Sequence, residues 1–172
     1  LLASSAASDV YKRQASLKQA VIEKFRNDNG LDYKSSEIIV SVGGKQSIFN
    51  LCLAILEDGD EVIIPAPYWV SYTDIVNLTG ASPIVIKCDI NQNFKITPEQ
   101  LKQSITSKTK LVFINSPSNP TGAVYNKEEL RALANVLIEY PHIYIGTDDI
   151  YEHINLTDEP FNNILMLSLI HI

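Results

Sequence analysis

Apolar and polar positions change period repeatedly along this chain, and each change marks an element. From Ala15 to Asn29, the residues Leu17, Val21, Ile22 and Phe25 recur at helical spacing, and Gly30 supplies a left-handed stop. Ile38 to Val40 is a short β-branched run that reads as a strand, and the glycine pair Gly43 and Gly44 separates it from a second helical pattern, about Lys45 to Leu56. A turn at Gly59 feeds a strand at Val62 to Ile64, closed by Pro65 and Pro67, and Tyr68 to Leu78 carries a weaker helical pattern. Pro83 to Lys87 is a strand. Thr97, Pro98 and Gln100 are an N-cap, a first-turn proline and a capping-box partner for a helix to about Ile105. Leu111 to Ile114 is a strand, and Asn126 with Glu129 caps a helix whose expected buried stripe is Leu130, Leu133, Ala134, Leu137 and Ile138. Ile143 to Ile145 is the last strand.

The strands lack polar alternation, as expected when both faces are covered, and they alternate with capped helices. The predicted fold is α/β, three-layered, with a mostly parallel sheet flanked by helices. Ligands of such sheets sit beyond the carboxyl ends of the strands. That directs attention to the loops Val42 to Gln46, Pro65 to Trp69, Asn115 to Gly122 and Gly146 to Tyr151.

Composition narrows the classes. The 172 residues are 45% hydrophobic and 20% charged, the make-up of one soluble globular domain, and the net charge of -6 with no Lys/Arg cluster argues against a nucleic-acid partner. No apolar run reaches membrane-spanning length. Cys52 and Cys88 stand far apart without a C-x-x-C or a nearby histidine pair, so neither a disulfide framework nor a metal site is indicated, and a reducing cytoplasm is expected. The two ends are unusual. One DNA sequence that encodes "DVYKRQ" (Asp9 to Gln14) has a reverse complement that encodes "LSLIHI" (Leu167 to Ile172), so both ends resemble a translated sequencing-library adapter. The expected division is a non-native tail over 1–14, protein-derived sequence over 15–166 and a second non-native tail over 167–172.

Each strand-end loop carries candidate chemistry. In "SVGGKQS" a glycine pair precedes a helix N-terminus, whose free N–H groups and partial positive charge suit an anion, although a tight turn needs the same residues. "PAPYWVSY" sets the only tryptophan, Trp69, just past a strand, where an indole can stack on a planar ring or serve as a core anchor. In "FINSPSNPTG" two prolines restrain Ser116 and Asn119, which suits either an aimed side chain or an ordinary loop. "TDDIYEH" ends a strand in two acids, either of which can pair with a protonated ring nitrogen or simply cap a helix.

Taken together, "GGKQ", "PAPYWVSY", "NSPSNPTGAVY" and a D-x-I-Y motif in this order resemble the pyridoxal-phosphate aminotransferases of fold type I, in particular the bacterial aspartate aminotransferase subgroup. The resemblance spans Ala15 to about Ile154. It implies a cofactor, pyridoxal 5'-phosphate, whose phosphate would rest on the backbone of Gly44, Lys45 and Gln46. Trp69 would stack on the ring, Asn119 and Tyr151 would bond its phenolic oxygen, and Asp148 would pair with the ring nitrogen and keep it protonated. Asp148 and Tyr151 are the implied catalytic residues; Lys45, Trp69 and Asn119 would also meet substrate, Lys45 at its distal carboxylate. Asp149 is the alternative ring partner if the register is one residue off. The implied reaction is transamination between L-aspartate, or a related amino acid, and 2-oxoglutarate in a homodimeric parent, with no nucleic acid or membrane involved. The family's imine-forming lysine lies downstream of the D-x-x-Y motif and beyond this chain, so the chain alone is expected to be inactive. Alternatives on the same fold are a prephenate, alanine or aromatic aminotransferase, or the cofactor-binding sensor domain of a transcription regulator.

Overall fold

The structure, a computed structural model, describes residues 2–156, 158 and 160–167, with backbone alone over 2–13. It falls into two compact units that divide after Ser47.

The first unit is built on helix α1, Leu2–Asn29. The expected start at Ala15 is thus too late. Ala, Ser, Lys, Arg and Gln dominate the preceding residues and no glycine or proline interrupts them, so nothing halts the helix on its N-terminal side. Its C-terminal stop is Gly30, at φ +66°, whose N–H returns to the Arg26 carbonyl. Ile38 to Val40 is not a strand. A strand needs a ladder partner, and among the described residues none lies beside this run; Ile39 is 83% exposed. Gly43, at φ +92°, turns the chain into helix α2, Gly44–Ile55.

The second unit, from Ile48 onward, contains a sheet of four parallel strands. They are β1 (Glu61–Ala66), β2 (Ser82–Lys87), β3 (Thr109–Asn115) and β4 (Tyr144–Asp148), in the spatial order β2-β1-β3-β4. Each crossover carries one helix: α3 (Ser71–Leu78), α4 (Pro98–Ser104) and α5 (Lys127–Leu137). Both expected capping boxes form, Thr97 with Gln100 and Asn126 with Glu129.

The strand pleat sorts the core into two layers. Ile63, Val112 and Ile114 face Leu101 of α4 and the stripe Leu130, Leu133, Ala134 and Leu137 of α5, whereas Ile138, expected in that stripe, is the exposed C-cap of the helix. Val62, Ile64, Leu111 and Phe113 face Cys52 of α2 and Tyr72, Ile75 and Val76 of α3. Val62, Ile63 and Ile64 are completely buried, each contributing about 1.5–3 kcal/mol, which explains why β1 reads as an unbroken apolar run. Strand order reverses between β1 and β3, so the loops leaving these two strands flank a crevice of the kind where open α/β sheets hold ligands. No helix among the described residues is long and apolar enough to cross a membrane.

Candidate functional site

Asp148 closes β4 beside Asn115, the last residue of β3, with which it is in register. Its half-buried carboxylate accepts at Oδ2 from the Tyr72 hydroxyl, 2.5 Å away, and at Oδ1, weakly, from the Ile150 N–H at 3.4 Å. Among the described residues no lysine or arginine pairs with it. Tyr72 is 2% exposed. It comes from the helix that follows β1, its ring stacked on Phe113 (centroids 4.8 Å apart, planes at 11°) and met edge-on by Trp69 (5.5 Å, 88°). Burial first, then the bond to Asp148 and that residue's charge, hold its hydroxyl pKa well above the ordinary phenol value, so it stays a donor.

The next residue faces another way. Asp149 accepts from the Thr147 hydroxyl and, at 2.9 Å, from Asn163 Nδ2. Burial raises its pKa against the lowering effect of those two bonds, with Glu152 and Asp148 adding to the rise. Successive side chains of an extended strand point to opposite sides. Asp148 therefore meets the aromatic cluster while Asp149 anchors the segment containing Asn163.

Asn115 ties the loops together. Its Nδ2 donates to the Asp148 carbonyl (2.7 Å) and its Oδ1 accepts from the Asn119 N–H (2.7 Å). Ser116, 2% exposed, takes the Tyr125 N–H at 3.1 Å, and the loop closes on itself through bonds between Ser118 and both Ala123 and Gly122. Asn119 and Tyr151 line one cavity of about 310 Å³ together with Pro117, Gly122 and Val124. Tyr72, Phe113 and Asn115 line a neighbouring crevice. Trp69, Asp148 and Asn119 are thus linked by contacts running through Tyr72 and Asn115, and Tyr151 shares a cavity wall with Asn119.

Gly44, Lys45 and Gln46 form the exposed first turn of α2, and Gln46 Oε1 accepts from the Val42 N–H at 2.8 Å. A Cβ placed on Gly44 would meet nothing within 4 Å in the chain. Of the residues just described, Tyr72 and Asn115 carried no role on sequence grounds. Tyr72 had a readable signal: it follows Trp69 by three positions at the start of a helix, so the two rings share a face. Asn115 had only half of one: its bond from the Asn119 N–H is local, but its other partner, Asp148, lies on the neighbouring strand.

These loops and this sheet have known counterparts. The family model for aminotransferase class I and II matches residues 8–170. The chain belongs to the class I and II aminotransferases. Its curated relatives include the aspartate/prephenate aminotransferase of Nitrosomonas europaea, 57% identical over 151 residues that make up 88% of this chain and 38% of the relative. Another is the aspartate aminotransferase of Bacillus sp. (strain YM-2), 57% identical over 79% of this chain and 34% of the relative. Among solved structures, the aspartate aminotransferase of Rhizobium meliloti superposes with a TM-score of 0.88 at 43% identity, covering 96% of this chain and 44% of the other. That of Thermus thermophilus with maleate gives 0.84 at 44% identity, covering 90% and 40%. This aminotransferase chain therefore spans well under half the length of the relatives it matches.

Proposed function

We propose that the chain is part of a pyridoxal 5'-phosphate-dependent enzyme that moves an amino group between L-aspartate, or a related amino acid, and 2-oxoglutarate. One observation carries this reading: Asp148 is a half-buried carboxylate at the end of β4 whose strong donor is a neutral phenol and which has no basic partner among the described residues. An anion so placed fits a cationic N–H from a bound ring, and the aromatic residues beside it fit the ring's flat face. The cofactor, when bound, supplies a ring that accepts the electron pair left at the substrate's Cα.

The chain's own residues do the rest. Asp148 holds the proton on the ring nitrogen by charge pairing. Trp69 packs against the ring and limits water. Asn119 and Tyr151, on one cavity wall, orient the phenolic oxygen. The first-turn N–H groups of Gly44, Lys45 and Gln46 suit a phosphate, and Lys45 suits a substrate's distal carboxylate. A dicarboxylic substrate is supported by the maleate in the Thermus thermophilus structure, and the name of the Nitrosomonas europaea relative favours prephenate as a second acceptor. We place the intact enzyme in the cytoplasm as a homodimer, and the 172-residue chain by itself as inactive.

In the full-length protein, Asp148→Ala is expected to lower kcat by about 10²–10³, the scale of losing one preorganised electrostatic contact. Near-normal turnover would remove Asp148 from the mechanism. Transaminase turnover by the isolated chain above background would overturn its proposed inactivity.

A further inference from the structure

Tyr72 satisfies its burial in an unusual way. A buried phenol needs an acceptor, and a backbone carbonyl would suffice. This one donates instead to a carboxylate 76 positions away in sequence, at the strand end where the functional reading needs a fixed anion. Two contacts hold the ring that carries the hydroxyl, and a third supports one of them. Phe113 stacks beneath it, Trp69 meets it edge-on, and Phe113 is in turn seated on Gly146, two residues before Asp148 on the same strand, so closely that a Cβ there would lie 2.9 Å from its ring. The donor and its acceptor are thus referenced to the same two strands.

We propose that Tyr72 is a positioning residue for Asp148: its hydroxyl, donating to Oδ2, fixes the orientation in which the carboxylate receives the N–H of the cofactor ring. The inference rests on the reading of Asp148 as the ring partner. Without the hydroxyl, the carboxylate keeps, among the described residues, the weak bond from the Ile150 N–H, which fixes its orientation poorly. The ring nitrogen then loses a fixed counter-charge even though Asp148 is still there. Tyr72 itself transfers no proton.

The test uses the full-length protein loaded with pyridoxal 5'-phosphate carrying 15N in the ring. In Tyr72→Phe the ring-nitrogen resonance is expected to move toward the unprotonated position across the working pH range. Thermal stability should change little, and kcat should fall by about 10- to 100-fold at nearly constant KM, the scale seen when a partner that orients a metal ligand is lost. A wild-type nitrogen resonance in Tyr72→Phe overturns this inference while leaving Asp148 in place. A wild-type resonance in Asp148→Asn overturns the reading beneath it. If phenylalanine is not tolerated at position 72, two variants of equal bulk decide the matter. Tyr72→4-aminophenylalanine keeps a donor and should retain the wild-type resonance, whereas Tyr72→4-methylphenylalanine should lose it; identical resonances in the two overturn the inference.

Discussion

Replacing Gly146 by alanine tests the aromatic stack that supports the candidate site. The added Cβ would stand 2.9 Å from both Cδ1 and Cε1 of Phe113, closer than a real Cβ contact allows, so the ring or the strand must shift. The ring has little freedom to do so. Phe113 is 3% exposed, stacked on Tyr72 above and packed among Val62, Ile64 and Leu111. Forcing one extra carbon into a filled core costs about 1–3 kcal/mol. Alanine recovers about 0.4–1 kcal/mol through the less flexible unfolded chain, because Gly146 is not in the left-handed region. The net expectation is a loss of about 1–2 kcal/mol, or roughly 2–8 °C in Tm for a chain of this size. In urea the midpoint should fall with an unchanged slope, since the surface exposed on unfolding is the same. Stability equal to or above that of the parent would refute the reasoning, by showing that β4 moves away from Phe113 at no cost.

Further outcomes follow from individual contacts. Tyr125→Phe removes the acceptor for the buried Ile96 N–H (2.9 Å) and should cost about 1–3 kcal/mol in denaturant unfolding. Asp149 is an acid whose folded pKa is raised by burial above its ordinary 3.8, so the folded state binds more protons than the unfolded one just above that value. Its contribution to stability is therefore full below pH 3.8 and declines as pH rises through the folded pKa, the reverse of a salt-bridged carboxylate. Asp149→Asn can keep bonds to Thr147 and Asn163 and should flatten that part of the stability–pH profile measured by urea titration. Thr97→Ala removes one half of a capping box and should cost about 1 kcal/mol by the same assay. Cys52, fully buried with its thiol pKa pushed up to about 11, should resist a thiol reagent until the chain unfolds.

Locally encoded features were legible before any coordinates. The capping boxes at Thr97 and Asn126 each need residues only three positions apart, and both form. The apolar runs of β1 and β3 announced a sheet covered on both faces. Features that depend on a distant partner were not legible. Ile38 to Val40 has strand composition but no neighbour to complete a ladder among the described residues, so composition misled. α1 begins well before Ala15 because the preceding residues have good helix propensity, a weaker signal than the apolar period that starts at Leu17. Leu167, assigned to the second tail, is 2% exposed and its carbonyl accepts from Arg131 Nη2 at 2.7 Å; the remainder of that tail lies outside the described residues. Which of Asp148 and Asp149 faces the aromatic residues depends on strand parity at β4, which a run of two acids cannot reveal; Asp148 meets Tyr72 and Asp149 meets Asn163.

The order β2-β1-β3-β4 also governs assembly during synthesis. β1 leaves the ribosome first and finds β2 after one short crossover, yet its other edge waits for β3, with Glu61 opposite Thr109. That partner emerges roughly fifty residues later, an interval of about 2–10 s at ordinary elongation rates. Throughout that interval at least one side of the backbone of β1, a strand with an unbroken buried apolar run, is unpaired, and a nascent chain stalled there offers a ready template for aggregation.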